Sequence, residues 1–264
     1  MTAAAGPNLA YRTDGPTAWI TLDNAARMNA MTAAMWEALP ALVARAAGEP
    51  DVRVIVVRGA GSKAFCAGAD ISEFETARTA ETAAKYDALN EAAFHALLSC
   101  PKPVIAMIQG FCMGGGLAIA LCCDMRFADE ASQFAIPAAK LGIGYNARWM
   151  RPILAAVPPA SAKEMLYTGR RFSAAEALAM GLVSRVVPAA EVEATVRALA
   201  DEIAGNAPLT VSAAKLVIDE IVRHPETPDM AKLDAAVATC FESEDYIEGR
   251  RAFLDKRKPV FKGQ

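Results

Sequence analysis

Three consecutive glycines, Gly114, Gly115 and Gly116, open a run that stays apolar until Asp124. A helix without a polar face is a buried one, and glycine weakens a helix, so three at its start need a reason. One reason is tight packing of the helix against a sheet. The other is chemical. The first N–H groups of a helix have no partner inside it, the dipole favours negative charge there, and without side chains they can touch a ligand. Residues 110–123 hold no carboxylate, histidine or basic side chain. What they offer is a backbone site for an anion that develops during reaction.

A second stretch has the same form. Lys63, Ala64, Phe65, Cys66, Ala67, Gly68, Ala69 and Asp70 follow an apolar run and lead into Ile71, Ser72, Glu73 and Phe74. One N–H from each loop on a single oxygen is the geometry of an oxyanion hole. The side chains nearby are weaker candidates for chemistry. Asp70, at a helix start, fits a dipole-matched cap better than a base. Cys66 and Cys112 fit small packing better than nucleophiles. His95 and His224 are the only histidines, and neither stands with Cys, Asp or Glu at metal-ligand spacing, so no metal is expected. No Gly-x-Ser-x-Gly elbow is present, and the contiguous glycines fit neither a dinucleotide fingerprint nor a P-loop.

Two strands must aim these loops. Val52 to Val57 is a β-branched run and the best strand in the chain; Pro103 to Ile108 is a second, just before Gly110. If they are neighbours, both loops stand at the sheet edge where ligands bind in open α/β sheets. A hairpin (Asn8 to Arg12, then Thr17 to Leu22) comes first. Thr32 caps a helix through about Ala47, and another helical segment runs from about Thr79 to Ser99. Met125 to Ala128 and Val183 to Val187 read as short strands, and the chain is mostly helical from Ala147 onward. Strands alternating with helices, followed by helices, predict an α/β core with a helical C-terminal region.

The chain has 264 residues, 54% of them hydrophobic, which suffices for a substantial core. A net charge of −3 gives no reason to expect nucleic acid as a partner. Apolar runs stop short of the roughly 18 residues that span a membrane, and the first seven residues lack the pattern of a secretory signal. Six cysteines, mostly in apolar contexts, fit reduced thiols and a cytoplasmic location.

These motifs resemble a known family. Phe65 to Ile71 and residues 110–124 look like the two signature loops of the crotonase superfamily, the enoyl-CoA hydratases and isomerases. Arg27, Met28, Asn29, Ala30 and Met31 are similar to its early substrate loop. Thr168, Gly169 and Arg170, with residues 174–187 beyond them, are similar to its usual continuation, and residues 243–259 to its C-terminal signature. The resemblance implies a crotonase-like spiral of ββα units over residues 1–200. Residues 201–264 would form a helical region for oligomerisation and coenzyme A contact, giving a homotrimer or a dimer of trimers. It implies a coenzyme A thioester as substrate, with no tightly bound cofactor. The oxyanion hole would be the backbone N–H groups of Ala69 and Gly115, which stabilise a thioester enolate. Coenzyme A contacts would come from Arg27, Ala67, Ala69, Asp70 and Ile71, and from Phe253 and Lys256, the last two toward a neighbouring subunit.

The sequence departs from the family in its carboxylates. Family hydratases carry one Glu two residues after the glycine run and a second in the loop after the next strand; here those positions are Ala118 and Ala138. Two-glutamate hydration is therefore not expected. Tyr145, beyond a Gly-Ile-Gly turn, is the best remaining side chain. Its setting resembles the methylmalonyl-CoA decarboxylase branch, where a Tyr in this loop helps hold the substrate carboxylate. Three readings follow: an acyl-CoA lyase of the hydratase/isomerase family, a decarboxylase of a malonyl-type acyl-CoA, and a non-catalytic acyl-CoA-binding homologue.

Overall fold

A computed structural model describes residues 3–4, 8–73 and 83–264. The start of the helix expected from Thr79 lies outside these residues. Strand β1 (Ala3–Ala4) adds to the hairpin of β2 (Leu9–Asp14) and β3 (Thr17–Leu22). Helix α1 (Ala33–Gly48) follows, with Thr32 Oγ1 accepting from the Met35 amide at 3.2 Å as its N-cap. Three turns of one pattern come next, each placing a strand in a large sheet, a three-residue strand in a small sheet, and then helix. The first is β4 (Val54–Gly59), β5 (Ala64–Cys66) and α2 (Ala83–Leu98). The second is β6 (Val104–Ile108), β7 (Phe111–Met113) and α3 (Gly115–Leu121). The third is β8 (Met125–Asp129), β9 (Gln133–Ala135), a 3-10 turn at Pro137–Leu141 and α4 (Ala147–Ala156). Then come α5 (Pro159–Thr168), β10 (Phe172–Ser173), α6 (Ala174–Ala179), β11 (Arg185–Val187), α7 (Val192–Ala204), α8 (Pro208–Arg223), α9 (Met230–Glu242) and α10 (Glu244–Leu254).

The large sheet has the order β1-β2-β3-β4-β6-β8-β11, parallel from β3 onward, and the small one β10-β9-β7-β5. This is the expected α/β spiral. The strands β4 and β6 are direct neighbours, with Ile55 opposite Val104 and Arg58 opposite Met107. Both are buried on both faces, which is why they read as unbroken apolar runs rather than alternating ones.

The small sheet corrects the sequence reading, which treats residues 63–70 and 110–113 as loops. Three residues carry too little pattern to show a strand period. Here β5 pairs with β7 in parallel, so the two loops are hydrogen-bonded to each other as well as joined to neighbouring strands. The main core lies between the large sheet, α1 and α2, with Trp36, Phe65, Phe94 and Phe134 at its centre. The outer face of the sheet is covered by α7 through Val192, Val196 and Ala200, around the fully buried Trp19.

Candidate active site

The three glycines have three different reasons. Gly114 takes φ +49°, the left-handed region, as it turns the chain from β7 into α3. A Cβ on Gly116 would overlap the Cys66 carbonyl and Cβ and stand 2.8 Å from Cys66 Sγ, so this residue lets α3 lie on β5. Gly115 is neither strained nor packed to exclusion. It lines a cavity, and a Cβ on it would stand 3.2 Å from the Trp36 ring and 3.6 Å from the Ala69 amide nitrogen. Packing and ligand access are thus divided between the adjacent Gly116 and Gly115.

The loop at Ala69 is held by residues 27–31. Met28 and Asn29 adopt φ +53° and +57°. The buried Asn29 donates from Nδ2 to the Ala60 and Ala64 carbonyls at 3.0 and 2.7 Å. With that loop fixed, Met28 O accepts from Ala67 N at 3.0 Å, Met31 N donates to Gly68 O at 2.8 Å, and Asp70 N donates to Met31 O at 2.8 Å. The pairing uses the amides of Ala67 and Asp70 and skips Ala69. Among the described residues, neither Ala69 N–H nor Gly115 N–H has a protein acceptor. Two free donors from two loops thus sit at one wall, an arrangement that can take one oxygen between them.

The cavity they border measures about 150 Å³. Ala67, Gly68, Ala69, Ile71, Gly114 and Gly115 form one side, and Ala118, Ala138, Tyr145 and Trp149 stand on the others. Among the described residues that line it, none is a carboxylate, a histidine, a lysine or an arginine. Ala118 also borders a second, largely apolar cavity of about 630 Å³ between α2 and α4, shared with Phe94 and Trp149. Arg148, at the rim of that second space, is taken by Glu91 at 2.7 Å.

The rest of the wall is aromatic. Trp36, Phe94, Trp149 and Tyr145 form a chain of edge-to-face contacts at 5.5, 6.4 and 5.5 Å. Burial pushes the Tyr145 phenol above its ordinary value, the Cys122 thiol adding to it. Tyr145 therefore stays protonated, a hydrogen-bond donor and not a base. Burial likewise pushes Cys66 up to about 12 and Cys112 well above its ordinary value, so both thiols are poor nucleophiles.

Asp70, next to Ala69 in the chain, is buried but is not part of the cavity lining. Burial alone would raise its carboxyl, but bonds from Ser72 Oγ (2.7 Å), Ser72 N (3.0 Å) and Arg27 Nη1 (3.0 Å) outweigh it and hold the group below the usual carboxylate range. Asp70 caps the turn at Ile71–Glu73 and ties Arg27 to it. Within one chain, Phe253 and Lys256 are not part of this cavity. Phe253, highly exposed, lines an apolar groove on α8 to α10.

Sequence reasoning did not single out Trp36, Asn90, Phe94 or Trp149. The spacing of Tyr86, Asn90 and Phe94, every fourth residue along α2, was the available signal.

The family model described as enoyl-CoA hydratase/isomerase matches residues 13–264. The chain belongs to the enoyl-CoA hydratase/isomerase family. Family relatives include the short-chain-enoyl-CoA hydratase of Clostridium acetobutylicum, 32% identical over 95% of this chain and 96% of that one. The carnitinyl-CoA dehydratase of Proteus mirabilis is 35% identical, over 97% and 99%. Among solved structures, an enoyl-CoA hydratase/carnithine racemase from Magnetospirillum magneticum superposes with a TM-score of 0.95 at 37% identity, covering 100% of this chain and 97% of that one.

Proposed function

We propose that this family member is an acyl-CoA lyase that binds the thioester oxygen between Ala69 N–H and Gly115 N–H and stabilises the enolate, without two-glutamate hydration. The observation that carries the reading is the pair of unused amides facing a cavity whose described lining has no carboxylate. An enolate oxygen placed there gains two donors that need no reorganisation, and losing one such donor costs on the order of 3 kcal/mol of barrier in acyl-transfer enzymes. Tyr145, kept protonated by burial, supplies a further donor. The relatives' names, a hydratase and a dehydratase acting on coenzyme A thioesters, point to the same substrate class.

Turnover of a panel of acyl-CoA thioesters tests this reading. Product formed from any of them, with crotonyl-CoA hydration far below the usual enzyme range of about 1–1000 per second, is the expected result. Ordinary crotonyl-CoA hydration would overturn the claim about the carboxylates. Binding without any product would leave the non-catalytic homologue as the correct reading.

Decarboxylation of a malonyl-type thioester is the second reading. The neutral cavity favours it, because loss of carbon dioxide leaves the enolate directly and needs no base. Carbon dioxide release distinguishes it.

The C-terminal helices fit a homotrimer or a dimer of trimers. Ile218, Phe241, Ile247, Phe253 and Leu254 are all exposed on α8 to α10, apolar side chains that a neighbouring subunit would cover. In that assembly Phe253 and Lys256 would reach a neighbour's coenzyme A. Sedimentation of the protein as a monomer would overturn this part of the reading.

A further inference from the structure

Asn90 is out of place for its surroundings. It lies on α2 between Tyr86 and Phe94, in a stripe that faces the cavity, and is 7% exposed. Its Oδ1 is buried and accepts no hydrogen bond. Buried polar atoms are almost always paired, and an orphan calls for a partner absent from the chain itself. A second orphan stands on the same wall. Trp149 Nε1 is buried without an acceptor, its ring edge-on to Phe94, one helical turn from Asn90. Trp36 Nε1, by contrast, donates to Tyr86 Oη at 3.0 Å.

An acceptor without a donor and a donor without an acceptor therefore border one cavity. A hydroxyl group both gives and takes a hydrogen bond, and so suits either orientation of the Asn90 amide. A carboxylate only accepts: with Oδ1 toward the cavity it would leave that atom unpaired, and no cation lines the described wall to meet its charge. A saturated tail would leave both atoms unpaired.

We propose that Asn90 is a specificity-determining residue for the acyl group, selecting a thioester with a neutral hydroxyl on a short acyl chain, the hydroxyl donating to Asn90 Oδ1 while Trp149 Nε1 offers a donor at the same wall. This rests on the acyl-CoA reading above and extends it from the thioester to the acyl portion.

Calorimetric titration of the full-length protein with 3-hydroxybutyryl-CoA, butyryl-CoA and malonyl-CoA tests it. The native protein binds the hydroxylated thioester about tenfold more tightly than butyryl-CoA, the worth of one net hydrogen bond. In Asn90→Leu that ratio falls to near one, whereas Asn90→Asp, which keeps an acceptor, retains it. Equal affinity for the hydroxylated and plain thioesters in the native protein overturns the proposal without needing a variant. So does a ratio that survives in Asn90→Leu, or tighter binding of malonyl-CoA, which would favour decarboxylation. Failure of all three ligands to bind would instead remove the acyl-CoA reading, and this proposal with it.

Discussion

The amide nitrogen of Ala69 lies 3.6 Å from where a side chain on Gly115 would begin. Two segments far apart in sequence are brought together by the pairing of β5 with β7, and each leaves one N–H unused at the meeting point. Neighbouring glycines then respond differently to the same substitution. Gly116→Ala forces a methyl into the Cys66 backbone, and overpacking of this kind costs about 1–3 kcal/mol. Its melting temperature falls. Gly115→Ala presses on the Trp36 ring at 3.2 Å without overlapping any backbone, so it costs less stability than Gly116→Ala while covering the oxygen site. Acyl-CoA turnover falls on the order of a hundredfold, as for a lost oxyanion donor. Thermal melts and turnover on both variants check this; equal effects of the two changes on stability would contradict it.

Stability should depend on pH at both extremes. Asp70 is held below its ordinary 3.8 by Ser72 and Arg27 against the effect of burial. Its contribution is present above about pH 4 and is lost as the pH falls through the folded value. Tyr11 is pushed up to about 12, by burial first and by Glu49 beside it, and Tyr145 is also raised. Their contribution is complete below about pH 10 and is lost as the pH rises through the folded values. Melting temperature followed across pH should show a plateau between these limits, and Tyr145→Phe should lose part of the alkaline decline. An alkaline limb unchanged in that variant would contradict the burial of Tyr145.

The thiols offer a simple check on the interior. Of six cysteines, Cys66, Cys100, Cys112, Cys122 and Cys123 are buried and only Cys240 is partly accessible. A thiol reagent at mild pH should label at most one site in the native protein and six after denaturation. Rapid labelling of Cys66 or Cys112, identified by mass spectrometry, would show a reactive thiol beside the cavity and contradict the packing role.

Much of this was legible in the sequence, and the exceptions have physical causes. The apolar runs of β4 and β6 and the breaks at Gly59 and Gly110 announce two parallel strands and the loops that follow them. Thr32 announces the start of α1. The small sheet was hidden because β5, β7 and β9 are three residues each, below the length at which alternation can be read. Asn29 shows no periodic signal either, since it acts through carbonyls at Ala60 and Ala64, which folding brings to it. Ala118 and Ala138 could be placed from the family's loops, but the aromatic chain from Trp36 to Tyr145 needed α1, α2 and α4 in position.

Charge reversal at Lys256 examines the assembly separately from the site. In a homotrimer that shares coenzyme A contacts between subunits, Lys256→Glu weakens coenzyme A binding at low salt, with a smaller effect at high salt. Titration with free coenzyme A at two ionic strengths measures it. Unchanged affinity at low salt would leave Lys256 as a surface charge.

The proposed oxyanion hole requires two backbone amides to polarise a thioester carbonyl. Difference infrared spectroscopy of a carbonyl-labelled acyl-CoA bound to the native protein tests it directly. The expected result is a C=O stretch moved to lower frequency than in free solution, with the shift reduced in Gly115→Ala. A bound thioester whose carbonyl absorbs where it does in water, in both proteins, would contradict it.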